Sequence, residues 1–137
     1  MKTIKLQDEQ YLLTEPPILP ITTEMLPTEW RSVRATSGRE ILSSPLLDVY
    51  YFEAQGKYTR VVLSSREGIL NMGISKVAAT LPKYQFQQVH RSFIVNMAKI
   101  KTIKTDEFGR MILFISDRND KIHVSKTQEH LFRTGIF

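Results

Sequence analysis

The segment QVHRSFIVNMAKI, residues 88–100, places a His-Arg-Ser triplet directly before a short apolar run. Phe93, Ile94 and Val95 are bounded by polar residues, which is typical of a buried strand. Asn96 follows them and is predicted to make a turn through its side chain. Three roles are open to the triplet: an active site, a grip on an anionic partner, or the end of a buried strand.

The composition is typical of one folded domain. The chain has 137 residues, of which 42% are hydrophobic and 24% charged, so it can bury a core. It contains no uninterrupted apolar run of about 18 residues, which a membrane span requires, and no signal-peptide pattern. The absence of cysteine excludes disulfides and cysteine-bound metals and fits a reducing compartment. We therefore expect a cytoplasmic protein without a membrane partner.

Charge and proline are unevenly distributed along the chain. Residues 1–29 contain two lysines and five carboxylates, whereas the whole chain carries a net charge of +5. Prolines 16, 17, 20 and 27 interrupt any helix or central strand. We predict a proline-rich linker or arm over residues 1–29 and a basic domain over residues 30–137. A basic domain suits polyanions such as nucleic acids, although many basic proteins bind none.

Short apolar stretches separated by turn residues predict a mainly β domain after residue 30. Gly38 and Gly56 mark two hairpin turns, because glycine adopts a positive φ easily. Residues 74–81 are predicted to form a short helix that Pro82 ends. A second short helix is predicted after Ser125, where Ser125 and Gln128 have the spacing of a capping box.

Enzyme chemistry has little support in the sequence. His90 and Ser92 would share one side of a strand, but no G-x-S-x-G turn surrounds Ser92 and no acid is placed to orient His90. The three histidines lack metal-site spacing. No phosphate-binding glycine motif occurs. We therefore expect no enzyme activity, no metal, no cofactor and no small-molecule substrate.

Basic and polar residues cluster in three places where strands or helices begin or end. Such side chains donate to DNA phosphates, and arginine and lysine also read guanine. A helix N-terminus, where the third cluster lies, offers free N–H groups to a phosphate. The predicted DNA-binding residues are Lys57, Tyr58, Thr59 and Arg60, then His90, Arg91 and Ser92, then Lys126 and Thr127.

Three segments together resemble the LytTR DNA-binding domain of bacterial response regulators of the AlgR/AgrA/LytR type. They are DVYYFEAQGKYTRVVL (48–63), LPKYQFQQVHRSFIVNMAKIKTI (81–103) and KIHVSKTQEHL (121–131). The resemblance covers residues 30–137. It implies an elongated, mainly β fold of about ten short strands in small antiparallel sheets, with one or two short helices. It also implies that loops enter neighbouring major grooves of duplex DNA, through the same three clusters.

The sequence departs from the family pattern at Lys126, where arginine is more usual. Lysine cannot make the planar two-pronged contact with guanine, so Lys126 is expected to bind phosphate. Glu53 is expected to orient a basic neighbour. Relatives carry a receiver domain, for which 29 residues are too few. The chain is thus expected to be either an output part of a response regulator or a stand-alone relative.

The resulting prediction is a sequence-specific DNA-binding transcription regulator. Two copies are expected to occupy paired direct repeats, as a homodimer on double-stranded DNA. The alternative is a protein–protein interaction module that controls another regulator without reading DNA.

Overall fold

The computed structural model describes residues 31–133, so the predicted arm at residues 1–29 lies outside the described part. The described residues form ten strands, one α-helix and three short 3₁₀-helices. The strands are β1 (Ser32–Ser37), β2 (Glu40–Pro45), β3 (Tyr51–Gln55), β4 (Tyr58–Val62), β5 (Glu67–Leu70), β6 (Phe86–His90), β7 (Phe93–Asn96), β8 (Ile100–Thr105), β9 (Met111–Ile115) and β10 (Lys121–His123). The helices are α1 (Ile74–Thr80) and the 3₁₀-helices Leu46–Asp48, Met97–Lys99 and Lys126–Phe132.

All strand pairs are antiparallel, in two sheets. The large sheet has seven strands in the order β2-β1-β5-β4-β3-β7-β6, and the small sheet has three in the order β10-β9-β8. The prediction of a mainly β fold with about ten strands is confirmed. The predicted hairpin turns are also confirmed, since Gly38 and Gly56 adopt φ values of 62° and 60°, which glycine does without a Cβ clash.

Neighbouring residues of β3, β4 and β7 point to opposite faces of the large sheet. Phe52, Val61 and Ile94 lie in one buried cluster. α1 and the β1–β2 hairpin also contribute to that cluster, through residues such as Val33, Leu42 and Val77. The alternate residues Tyr51, Val62 and Val95 lie in a second cluster with Leu113, Ile115 and Ile122 of the small sheet. The large sheet is therefore the middle layer between two cores.

Asn96 joins the ends of several elements. Its side chain is fully buried, and its Nδ2 donates to the carbonyls of Leu47 and Val49. Its Oδ1 accepts from the Ala98 N–H and from the Gln85 side chain. The predicted turn-forming role of Asn96 is confirmed, because it caps the 3₁₀-helix Met97–Lys99.

The two predicted helices differ in outcome. α1 buries Ile74 and Val77 on one face, as predicted. The segment after Ser125 is a 3₁₀-helix with no side-chain cap, so the predicted capping box is wrong. The reason is tertiary: the Ser125 N–H that Gln128 would have reached donates instead to the Val89 carbonyl of β6.

A polar tie joins the β9–β10 turn to the large sheet. The Tyr51 hydroxyl donates to Asp120 at 2.7 Å, and Arg118 contacts the same carboxylate. Arg118 also donates to the carbonyl of Leu63 after β4. Burial, with the bond to Asp120, raises the pKa of Tyr51 to about 12. Burial also acts to raise the pKa of Asp120, but the bonds from Arg118 and Tyr51 outweigh it and hold that pKa below 3.8.

Candidate nucleic-acid interface

Strand direction brings the first two predicted clusters to one end of the large sheet. β3 runs towards the turn at residues 55–58, and the antiparallel neighbour β7 begins there, with Phe93 opposite Glu53. The Ala54 N–H donates to the Ser92 carbonyl at 2.8 Å. The β3–β4 and β6–β7 turns are therefore adjacent.

The third cluster joins the second through the backbone. The Ser125 N–H donates to the Val89 carbonyl at 2.9 Å, one residue before His90. His90, Arg91, Ser125 and Thr127 then line one shallow cleft of about 300 Å³. We call residues 55–58, 90–92 and 125–127 the basic end.

Lys57 and Tyr58 are exposed in the β3–β4 turn. The Lys57 Nζ lies 5.5 Å from the centre of the Tyr58 ring, and Tyr58 keeps 39% of its surface exposed. Lys57 forms no ion pair with any carboxylate of residues 31–133. An unpaired ammonium beside an aromatic face is suited to a phosphate near a base or sugar.

Thr59 does not belong to the basic end, which corrects the prediction. It alternates with Tyr58 along β4 and points into the protein, where it is completely buried. Its hydroxyl donates to the Met72 carbonyl at 2.8 Å. That bond holds the segment before α1 against β4.

Arg60 is occupied by two carboxylates, which also corrects the prediction. It contacts Glu53 of β3 and makes two bonds to Glu67 of β5. The Glu67 bonds are the main reason that the pKa of Arg60 is raised, and they lower the pKa of Glu67. In this arrangement the guanidinium is not available to a phosphate. The predicted orienting role of Glu53 is confirmed by the same contact.

His90 has a defined tautomer in the β6–β7 turn. Its Nδ1 accepts the Ser92 N–H at 3.1 Å, so the proton of the neutral ring lies on Nε2. The ring packs edge-on against Phe93, with 5.9 Å between ring centres. His90 therefore stabilises the turn with one nitrogen and keeps an N–H donor on the other.

Arg91 lies at the tip of the same turn and is exposed. Its guanidinium has no carboxylate partner within residues 31–133. The backbone on either side is held, since Gln88 donates to the Arg91 carbonyl and Ala54 donates to the Ser92 carbonyl. A long cationic side chain on a fixed turn is well placed to reach into a groove of duplex DNA.

Lys126 is exposed but restrained along the protein surface. Its Nζ donates to the Gly109 carbonyl at 3.2 Å and lies 3.5 Å from Glu129 Oε2. Glu129 is buried, and its other oxygen pairs with Arg133 at 3.3 Å. Lys126 therefore flanks the cleft, while Thr127 lines it.

Sequence reasoning missed three residues of the cleft: Gln88, Ser125 and Gln128. The sequence marks Ser125 only as a helix cap, and the glutamines carry no charge to mark them. The available signal was their position, since each lies within three residues of a predicted contact. Amide side chains of this kind can pair with adenine.

Residues 31–133 contain neither a metal-binding cluster nor a membrane-spanning helix. No three His, Asp or Glu side chains of residues 31–133 are grouped as a metal would require. No helix of these residues is long and apolar enough to cross a membrane.

The profile of the LytTr DNA-binding domain matches residues 39–136. The chain therefore belongs to the LytTR DNA-binding domain family.

Relatives and solved structures agree with this assignment. The transcriptional regulatory protein YpdB of Escherichia coli (strain K12) is 30% identical over 102 residues, which are 74% of this chain and 42% of YpdB. The CO-responsive transcriptional regulator RcoM of Rhodospirillum rubrum is 28% identical over 80 residues, 58% of this chain and 34% of RcoM. The chain thus spans less than half the length of these curated relatives.

A solved structure has the same fold. It is the LytTr DNA-binding domain of a putative methyl-accepting/DNA response regulator from Bacillus cereus, with a TM-score of 0.68 and 30% identity. The likeness covers 75% of this chain and 94% of that one.

Proposed function

We propose that this chain is the DNA-reading part of a bacterial transcription regulator and binds duplex DNA sequence-specifically through its basic end. The observation that carries the proposal is the convergence of three separate polar segments on one end of the large sheet. Lys57 and Arg91 of the basic end form no ion pair with any carboxylate in the part of the chain that the structure describes. Membership of the LytTR family supports the same conclusion.

The side chains of the basic end divide into two roles. Arg91 reads a base in the major groove, since an exposed guanidinium can make a two-pronged contact with guanine. Lys57 and Lys126 bind phosphates as point charges. The Nε2–H of His90 and the hydroxyls of Tyr58, Ser92 and Thr127 donate to phosphate or base oxygens.

The three segments are too short to lie along a groove as a recognition helix. Each instead enters as a loop, and together they contact successive major grooves. Two copies bind paired direct repeats, as a homodimer on the DNA. The longer relatives named as transcriptional regulators, together with the solved LytTr domain of a Bacillus cereus response regulator, support a role as the output part of a two-component response regulator, working in the bacterial cytoplasm.

Selection of bound duplexes from a random DNA pool tests the proposal, at a salt concentration of about 150 mM so that screening is near physiological. We expect enrichment of a short motif, repeated in phase with the helical turn. Weak binding to every sequence without enrichment would contradict sequence-specific reading.

Salt dependence separates the proposal from the alternative, an interaction module that binds protein alone. Binding through about six phosphates should lose roughly a thousandfold in affinity between about 50 and 200 mM salt. A protein interface should lose far less over the same range.

A further inference from the structure

An apolar groove lies on the small sheet, away from the residues assigned to DNA. It has a volume of about 400 Å³ and runs between β8 and the C-terminal 3₁₀-helix Lys126–Phe132. Its apolar lining comprises Met97, Ile100, Ile103, Leu131 and Phe132. Ile103 alone leaves 41% of its surface exposed. Exposed apolar surface gathered in a groove is a typical binding surface.

The chain segment on the β8 side of this groove is basic, and Lys101 is the lysine of that segment that lines the groove. Residues 97–105 contain Lys99, Lys101 and Lys104 and no carboxylate. Lys101 lines the groove and is exposed. An occupant should therefore combine apolar side chains with negative charge.

Residues 15–29 of the same chain, EPPILPITTEMLPTE, have that composition. They carry Glu15, Glu24 and Glu29 and no lysine or arginine. They also carry five large apolar residues: Ile18, Leu19, Ile21, Met25 and Leu26. The charge and the apolar content of this segment complement those of the groove.

The described structure begins close to the groove. The Arg31 carbonyl accepts the Leu46 N–H at 3.1 Å. The next residue, Leu47, accepts from Asn96 at 3.2 Å, and Asn96 directly precedes Met97 of the groove. This path is on the order of 20 Å, which about six extended residues span. A segment tethered this closely has a high effective concentration and needs only a weak intrinsic affinity.

We propose that the acidic, apolar segment 15–29 docks into the groove between β8 and the C-terminal 3₁₀-helix of its own chain, beside Lys101. The occupant buries Ile103 and Leu131 and places its carboxylates beside Lys101. This inference does not depend on DNA binding, and its test contains no DNA.

A spin label tests the docking in the full chain, which has no cysteine to compete for labelling. A nitroxide attached through Thr22→Cys should reduce the NMR intensity of the Ile103 and Leu131 methyl groups. Gly56, in the turn at the basic end, serves as the distant reference. Oxidised and reduced label are compared in the same sample.

The matched control keeps the label and replaces Ile18, Leu19 and Ile21 with serine. We expect this control to lose the selective broadening at Ile103 and Leu131. Equal broadening in the labelled chain and in the control would overturn the proposal, because a tethered but undocked segment gives that result.

Two further experiments test the charge complementarity with Lys101 and whether the docking occurs within one chain. Lys101→Glu should weaken the broadening by like-charge repulsion, and unchanged broadening would overturn the proposed recognition. A mixture of labelled chain without isotope and isotope-enriched chain without label reports contacts between copies. Broadening of comparable size in the mixture would show a second copy as the occupant and overturn docking within one chain.

Discussion

Adjacent residues of β4 have unrelated roles, although they are neighbours in one polar cluster. Tyr58 is exposed at the basic end, Thr59 is buried against Met72, and Arg60 bridges Glu53 and Glu67. The cause is the two-residue period of a strand, which turns successive side chains to opposite faces. At the scale of the residue, Lys57 and Arg91 are exposed without a carboxylate partner within residues 31–133, whereas Lys126 is exposed beside Glu129.

Replacement of Arg91 should reduce specific binding. Arg91→Ala removes the proposed base contact without disturbing the turn, because the turn is held by backbone bonds to Ser92. We expect specific affinity to fall by about 1–3 kcal/mol and preference at one base position to relax. Titration of specific and random duplexes by fluorescence anisotropy measures both effects.

Arg66→Ala is the matched control for charge. Arg66 is also exposed but lies in the β4–β5 turn, at the opposite end of these strands from the basic end. An equal loss of affinity in both variants would contradict a base-reading role for Arg91.

Replacement of Lys57 should weaken binding to all duplexes alike. A phosphate contact carries no sequence information, so Lys57→Ala should lower specific and random affinity by the same factor. The slope of log affinity against log salt should fall in magnitude by about one. Lys121→Ala, on β10 of the small sheet, removes the same charge elsewhere. Loss confined to one base step in the Lys57 variant would count against the assignment.

At the scale of elements, Asn96 connects the segment before β3 with the residues that flank the β6–β7 hairpin. These are Gln85, just before β6, and Ala98, just after β7. Four hydrogen bonds use its amide in full, and all of its partners lie outside β7. Fixing β3 and β7 at this end also fixes their register, and thereby the spacing of the two turns at the basic end.

Asn96→Ala should destabilise the fold strongly. It removes the donor to the buried Val49 carbonyl and to the part-buried Leu47 carbonyl, and each unsatisfied buried group costs about 1–3 kcal/mol. We expect a loss of about 2–4 kcal/mol and a fall in Tm of roughly 10 °C or more, measured by thermal and urea unfolding. Asn71→Ala, at an exposed position before α1, should change Tm little. Equal stability of the two variants would show that the Asn96 network contributes nothing.

At the scale of the whole molecule, the two sheets are held together by one apolar core and by the polar tie of Tyr51, Asp120 and Arg118. The tie links residues that are far apart in sequence and orients the small sheet over the large one. It also makes this attachment dependent on pH, because the tie requires an ionised Asp120.

Folding lowers the pKa of Asp120 below its ordinary value of 3.8. The stabilisation is therefore complete above that value and is lost as the pH falls through the lower folded-state pKa. Asp120→Asn removes it at every pH. The difference in unfolding free energy between the wild type and this variant should be largest near neutral pH and shrink below about pH 4. Urea unfolding at several pH values measures it, and a constant difference would contradict the role of ionised Asp120.

Patterns within a few residues were sufficient to predict most elements. The glycine turns at Gly38 and Gly56 and the helix face of Ile74 and Val77 depend on local backbone preference and periodicity. A short helix follows Ser125, as predicted, but the predicted capping box is not formed, because the Ser125 N–H donates to the Val89 carbonyl of β6, which no local pattern records.

Local sequence patterns were sufficient to predict the mainly β fold, the family, and three polar segments from which a DNA-binding surface can be proposed. Composition, turn residues and short motifs carry that information, since each acts over a few neighbouring positions. The tertiary structure decided which members of those segments face outward together. It buried Thr59, paired Arg60, and brought Gln88, Ser125 and Gln128 into the cleft. The physical reason is that strand register, burial and ion pairing depend on partners distant in sequence, which only the folded chain brings into contact.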